Sequence, residues 1–294
     1  MSRVPETRVR SLGVSDTEAV LALLRRRPIH NVLLEHVVGV GALGRIPGFF
    51  GCEVPGGAIE AVLLVGSNGG ASLEVCRDEA FAPLAACASG LPVRPRHITG
   101  SEDVTVPFWS EYAPRITADL LWERRERVYV ADRGAPVPES GGRAGTSVRP
   151  AREQELDEVV ENSAQQHLED LKEDRHALDP QGFRARHLNE IREGHWWVLT
   201  DGRRICFQVH VGPRNASVIQ LGGVFTTPSA RARGYATRGL AALVARLHAD
   251  RPRVSLFCDE SNEVACRLYE RVGFKTRHHN RSYLLRAPSP RTYA

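Results

Sequence analysis

The stretch from residue 224 to residue 239 constrains the fold more than any other part of the chain. Its apolar beginning predicts a strand running up to Pro228, and a turn of arginines and small residues follows. A helix comes next, with apolar positions at Tyr235, Leu240, Leu243, Val244 and Leu247. The first N–H groups of a helix have no intrahelical acceptor and the helix dipole is positive there, so this turn predicts an anion-binding site.

The residues of this turn suit a phosphorylated ligand. Gly234 and Ala236 carry little bulk, so a diphosphate can approach the backbone closely, while Arg231 and Arg233 add positive charge. The spacing Arg231-x-x-Gly234-x-Ala236 resembles the Arg/Gln-x-x-Gly-x-Gly/Ala motif of the GNAT acyltransferases, which holds the pyrophosphate of acetyl-CoA. An ordinary strand, turn and helix with surface arginines would show the same short pattern.

A second pattern follows in residues 254–274. Val254–Cys258 predicts a buried strand, Asn262 is placed to cap a helix, and Gly273 is placed to end it. The apolar positions of that helix recur at helical spacing, at Ala265, Leu268, Tyr269 and Val272. The run Asn262-x-x-Ala265-x-x-Leu268-Tyr269-Glu270-x-x-Gly273-Phe274 resembles the second GNAT signature, and two signatures in the right order favour this family.

Composition limits the other classes of function. The chain of 294 residues suggests about two domains. It has no apolar run of membrane-spanning length and no signal peptide, so we expect a cytoplasmic protein that binds no membrane. Scattered cysteines without a Cys-x-x-Cys pair favour free thiols and no metal site. The net charge is only +4 and the basic residues are mixed with acids, so we expect no nucleic-acid partner.

A segment rich in Pro, Gly and Ser at 132–147 predicts a linker between domains at 1–131 and 148–294. The expected fold class is α/β (α+β), with two GNAT-like mixed-sheet domains in tandem. In the first half, Cys76-Arg77-Asp78-Glu79 replaces the phosphate-binding turn, and its acids would repel a diphosphate. We therefore expect a degenerate N-terminal domain, and the whole chain resembles actinobacterial-type GNAT proteins with an extra N-terminal domain of unknown function.

The resemblance implies acetyl-CoA as co-substrate and assigns its contacts. Strand residues would pair with the pantetheine arm, one strand amide would polarise the thioester carbonyl, and the turn amides would bind the pyrophosphate. Asn262 would either contact the pantetheine or only cap its helix. The implied cofactor-binding residues are Val224, Phe225, Thr226, Arg231, Ala232, Arg233, Gly234, Tyr235, Ala236, Thr237 and Asn262.

Tyr269 matches the general acid of the family, and a phenol of pKa near 10 is a plausible donor to a thiolate whose thiol has a pKa of about 8.5. The same residue would also suit a core aromatic. Several family members place a glutamate base where this chain has Gln220, and an amide cannot take a proton. The amine would then lose its proton to an ordered water chain or to another residue, or it would react already neutral. The candidate residues for the base are His195, His210, Asp259 and Glu260.

The acceptor is expected to be an amine of unknown identity. One ring of Trp196-Trp197 must face each side of the sheet, so one could line an acceptor pocket while the other lies in the core. The acidic region Glu169–Asp174 would either border a cationic acceptor or form a solvated face. We expect an N-acetyltransferase that transfers acetyl directly; the alternatives are an inactive CoA-binding regulatory module and an enzyme that uses a longer acyl-CoA. The sequence is compatible with a homodimer and does not determine the oligomeric state.

Overall fold

The computed structural model describes residues 7–134, 147–202 and 204–286, apart from the side chain of Arg175. Most of the predicted linker, and Arg203, lie outside the described residues. The first half forms β1 Arg8–Ser11, α1 Thr17–Leu24, α2 Val32–Gly39, β2 Phe49–Glu53, β3 Ile59–Val65, β4 Gly70–Val75, α3 Phe81–Ser89, β5 His97–Ser101, α4 Glu102–Tyr112 and β6 Leu120–Asp132. The second forms β7 Arg149–Pro150, α5 Leu156–Leu171, α6 Arg175–Leu178, α7 Pro180–Arg192, β8 Trp196–Asp201, β9 Arg204–Arg214, β10 Val218–Thr226, α8 Tyr235–Leu247, β11 Arg253–Asp259, α9 Glu263–Val272 and β12 Lys275–Leu285. No described helix combines the length and the apolar character needed to span a membrane.

The chain folds into two compact units whose limits do not follow the linear order. The first contains β1 to α4, β6 up to Val128, Phe257–Ser261, and β12 from Thr276. The second contains β6 from Tyr129, β7 to α8, β11 up to Leu256, and α9. Strand β12 belongs to the first unit because it pairs antiparallel with β5 there. The boundaries at 131 and 148 stay a prediction.

The sheet of the second unit positions the site. Strands β7 to β10 pair antiparallel, and β10 pairs parallel with β11 only over Val218–Gln220. Successive side chains of β9 face opposite sides of the sheet: Phe207 lies against Gly239 of α8, and Gln208 accepts a hydrogen bond from Asn162 of α5. Helices α5 and α7 therefore cover one face and α8 covers the other. The predicted apolar residues of α8 are all buried.

The first unit repeats this arrangement, with β1 to β4 antiparallel and β4 parallel to β5 over Gly70–Ala71 alone. Beyond that pairing, the guanidinium of Arg27 joins the two strands. It donates to Glu74 Oε1 on β4 at 3.1 Å and to Ser101 Oγ at the end of β5 at 2.9 Å. The Glu74 side chain is only 2% exposed. The opening between these strands is therefore occupied by an ion pair whose carboxylate is buried and whose arginine is partly exposed.

Replacement of Arg27 by alanine should destabilise the protein by about 3 kcal/mol, because it leaves the Glu74 carboxylate buried without its cation. The matched control is Arg26→Ala, whose ion pair with Glu60 is exposed on the arginine side and should be worth less than about 1 kcal/mol. Equilibrium urea unfolding measures both, and equal losses for the two variants would contradict a stabilising role for the pair.

Candidate active site

A cleft of about 640 Å³ opens in the second unit where β10 and β11 separate. Beyond Gln220, β10 has no pairing partner on this side within the described residues, although the strand continues to Thr226. The end of α5, the turn after β10, and helices α8 and α9 complete the walls. The lining residues are Gln166, Glu169, Asp170, Val224, Phe225, Thr226, Ala230, Arg231, Ala232, Gly234, Tyr235, Ala236, Thr237, Asn262, Val264, Ala265, Arg267, Leu268, Tyr269 and Arg271. All the predicted cofactor-binding residues except Arg233 are among them.

The start of α8 is built to leave backbone donors unpaired. Gly234 precedes the helix with φ +76°, and no side chain caps this terminus. Ala232 also has a positive φ, of +60°, which is rare outside glycine. A turn with such alternating backbone conformations collects N–H groups into a concave anion site, and the helix dipole reinforces it.

The arginines of the turn are engaged by acids. Arg231 Nη2 lies 2.9 Å from Glu169 Oε2 at the end of α5, and its Nε donates to the carbonyl of Thr226. Arg233 lies 3.5 Å from Asp201, which also accepts a hydrogen bond from the Tyr235 hydroxyl. These pairs are exposed, so they hold the arginines near the cleft with little net free energy.

Helix α9 forms the opposite wall. Asn262 Oδ1 accepts from the N–H of Ala265 at 3.2 Å, so this residue does cap the helix. Gly273 ends the helix with φ +100°, as its position predicted. Tyr269 is 6% exposed, lines the cleft, and packs on Tyr129 and Phe274 with ring centroids 5.6 and 6.1 Å away. It therefore has a core aromatic's packing together with a position on the cleft.

The predicted apolar face of α9 divides into two parts. Tyr269 and Val272 are buried, while Ala265 and Leu268 are half-buried and line the cleft instead of the core. The sequence pattern did not distinguish these environments, because a cleft wall and a packed core can both contain apolar side chains at helical spacing.

The candidates for proton transfer lie in different places. Gln220 is half-buried and faces Ser255 at the last paired position of β10 and β11. Asp259 and Glu260 belong to the first unit and form ion pairs with Arg124 and Arg125, at 3.3 and 3.7 Å. His195 and His210 pack against each other in the second unit, with ring centroids 5.6 Å apart.

The two tryptophans face opposite sides of the sheet, as the strand period requires. Trp196 contacts His187 and Glu190 of α7, and Trp197 lies under the guanidinium of Arg246 from α8. Neither ring is among the lining residues of the cleft.

The Gly222-Gly223 pair, which the sequence patterns above did not single out, marks a register shift between β9 and β10 directly before Val224.

Comparisons with known proteins identify the domain. Residues 160–274 match the profile of the Acetyltransferase (GNAT) family. The chain carries a GNAT acetyltransferase domain. Comparison with curated proteins found no match.

Solved structures extend the likeness beyond the GNAT domain. A GCN5-related N-acetyltransferase from Sphaerobacter thermophilus has a TM-score of 0.62 and 16% identity, with 98% of each chain covered. A tandem GNAT protein from the clavulanic acid biosynthesis pathway has a TM-score of 0.58 and 17% identity over 97% of this chain and all (100%) of that one. A GNAT acetyltransferase from Colwellia psychrerythraea has a TM-score of 0.61 and 12% identity, covering 95% and 100%. These likenesses confirm the predicted fold class of two GNAT-like mixed-sheet domains in tandem. That the first domain is degenerate stays a prediction.

Replacing Gly223 in the GNAT domain by alanine should cost about 2 kcal/mol, since its φ is +57° and the new Cβ would lie 2.8 Å from Trp196 Cη2. Gly222→Ala is the matched control, because nothing lies within 4 Å of its Cβ position. Urea unfolding should separate the two, and a loss at Gly222 as large as that at Gly223 would contradict the close packing.

Proposed function

We propose that this protein is an acetyl-CoA-dependent N-acetyltransferase that passes the acetyl group directly to an amine. The observation that carries the proposal is the uncapped start of α8, which opens into the same cleft as the unpaired edge of β10. Free N–H groups suit a pyrophosphate, and an unpaired strand edge suits the amide-containing pantetheine arm. The start of α8 follows the edge of β10 after one short turn. The pyrophosphate and the pantetheine arm are likewise neighbouring parts of CoA.

In this proposal, each part of acetyl-CoA has its own contacts. The N–H groups from Ala232 to Thr237 bind the pyrophosphate, whereas the N–H of Arg231 donates to the carbonyl of Pro228 at 3.3 Å. The backbone of Val224 and Thr226 pairs with the pantetheine. One of these strand amides polarises the thioester carbonyl, where negative charge develops during attack. Buried Phe225 anchors the strand between them, and the amide of Asn262 is close enough to the cleft to contact the pantetheine as well as cap α9.

The amine nitrogen attacks the carbonyl carbon, the carbon–sulfur bond breaks, and CoA leaves as a thiolate. Tyr269 gives this thiolate a proton, because its ring lines the cleft from α9. Gln220 cannot accept the proton that the amine loses, so another group or a water does so. Amine and thioester react within one ternary complex, without an acyl-enzyme intermediate.

Binding of the pyrophosphate by the N–H groups at the start of α8 can be tested at Gly234. Gly234→Asp and Gly234→Asn have side chains of the same shape and both tolerate the left-handed backbone, but only the aspartate repels a diphosphate. Calorimetric titration should show CoA binding about tenfold weaker or worse in the aspartate variant than in the asparagine variant. Equal CoA affinities of the two variants would show that the pyrophosphate does not bind at this turn.

The proton donor can be tested with a matched pair of tyrosines. Tyr269→Phe should lower kcat about 100-fold, while CoA affinity stays unchanged. Tyr129→Phe is the control, since its ring packs on Tyr269 but its hydroxyl donates to Glu270. If the two variants had the same kcat, Tyr269 would be a packing residue only.

The function itself is tested by incubating the protein with acetyl-CoA and a panel of amines, and following free thiol and acetylated product by mass spectrometry. Product that depends on protein and amine supports the proposal. CoA binding without any transfer would identify a binding module, and faster reaction with butyryl-CoA or octanoyl-CoA would identify a longer acyl donor.

A further inference from the structure

The first unit buries a glutamate that, within the described residues, has no ion pair. Three glutamates are buried there, and two of them have an arginine: Glu35 lies 3.4 Å from Arg25, and Glu74 lies 3.1 Å from Arg27. The third, Glu126 on β6, is 8% exposed and has no such partner in the described part of the chain. A lone carboxylate is costly to bury, because it loses the water that stabilises its charge.

Hydroxyl groups are the partners of this carboxyl instead. Ser282 Oγ on β12 lies 2.6 Å from Glu126 Oε2 and 2.7 Å from Thr99 Oγ1 on β5. Ser282 and Thr99 are directly opposite each other in the register of β12 and β5, so their side chains share one face of the sheet. We call these three residues the Glu126 relay. It joins side chains from three strands, and the serine at its centre is fully buried.

The Glu126 relay can hold its hydrogen bonds in two directions. A hydroxyl has one proton to donate, so Ser282 can donate to only one of its two neighbours at a time. With Glu126 ionised, Thr99 donates to Ser282 and Ser282 donates to the carboxylate. With Glu126 protonated, the carboxyl donates to Ser282 and Ser282 donates to Thr99. Both forms satisfy the buried serine, so the cost of the buried charge decides between them.

The charged groups near Glu126 do not offset its burial. Burial has the largest effect and raises the pKa of Glu126 from 4.5 to about 7. Arg124, on the same face of β6, lowers this pKa, but Asp259 on β11 raises it, and the two form an ion pair of 3.3 Å with each other. On this face β5 adds His97, whose ring packs edge-on to Trp122. On β12, the residues next to the serine on this face are an asparagine and a leucine.

Asp259 connects this region to the start of α9. Its Oδ1 atom accepts hydrogen bonds from the backbone N–H and the hydroxyl of Ser261, at 2.9 and 2.7 Å, while its Oδ2 atom faces Arg124. The carboxylate therefore holds the turn that leads to Asn262, the cap of α9. A second negative charge at Glu126 would compete with Asp259 for the same guanidinium.

We propose that the Glu126 relay is a pH-dependent switch, in which loss of the Glu126 proton to solvent reverses the relay, draws Arg124 away from Asp259, and weakens both the packing of β5, β12 and β6 and the turn before α9. The switch is independent of the proposed acetyltransferase function. Because folding raises the pKa of Glu126, the folded protein keeps this proton between about pH 4.5 and about pH 7, where the unfolded chain loses it. The contribution of Glu126 to stability therefore falls as the pH rises through that window.

Stability is measured by thermal unfolding of the full chain at about pH 5 and about pH 8. Glu126→Gln has the shape and the neutral charge of the protonated carboxyl, and its amide can donate to Ser282. It should match the wild type within about 2 °C at pH 5 and melt about 5 °C or more above it at pH 8. The difference between the two proteins isolates Glu126, because the histidines titrate in both. Glu123→Gln, which removes an exposed carboxylate from the same strand, should bring no gain at pH 8.

The proton itself is followed by NMR on protein labelled with ¹³C at the glutamate side-chain carboxyls. One resonance, absent from Glu126→Gln, should titrate near pH 7. Ser282→Ala removes a hydroxyl that favours the charged form, so the midpoint should move to higher pH. The wild-type resonance and its displacement in Ser282→Ala test the switch even if Glu126→Gln does not fold. The amide of Ser261 should shift with the same midpoint in the wild type.

Three results would overturn the switch: the same pH dependence of melting in wild type and Glu126→Gln, an equal gain at pH 8 in Glu123→Gln, or titration of every glutamate carboxyl near pH 4.5. A midpoint that does not move in Ser282→Ala would overturn the part assigned to the hydroxyls. A Ser261 amide that does not follow the titration of Glu126 would overturn the action on the turn before α9.

Discussion

Parallel pairing between β10 and β11 stops at Gln220 and Ser255, and the rest of the candidate site depends on this interruption. Backbone donors and acceptors cannot stay buried without partners, so the open edge of β10 must meet a ligand or water. The Gly222-Gly223 irregularity turns the strand at the same point. Helix α8 then begins after a short turn, which brings its free N–H groups to the end of that edge.

The first unit fills the corresponding opening with its own side chains. There the gap between β4 and β5 is bridged by Arg27, which binds Glu74 on one strand and Ser101 on the other. Burial raises the pKa of Glu74 even though Arg27 is beside it, because this carboxylate has almost no contact with water. The two units share the strand pattern but differ at the opening. An ion pair with a buried carboxylate bridges it in the first unit, and it forms an accessible cleft in the second.

Two sources of positive charge border the cleft, the start of α8 and the arginines of its turn, and they are held in different ways. Arg231 is paired with Glu169 and Arg233 with Asp201, and both pairs are exposed. Such pairs contribute little to stability, so an arginine can exchange its carboxylate for a phosphate at small cost. The positive φ angles of Ala232 and Gly234 are instead part of the backbone fold, which fixes the direction of the N–H groups.

Local patterns in the sequence determined the elements of the GNAT domain. The cap at Asn262, the end of α9 at Gly273 and the buried face of α8 each depend on residues a few positions apart, so spacing alone predicts them. The sequence could not place β12 beside β5, Arg27 in the first opening, or His210 against Gly223. Those contacts join residues far apart in the chain, and only tertiary packing decides which distant side chains share a gap and which of their polar atoms lose access to water.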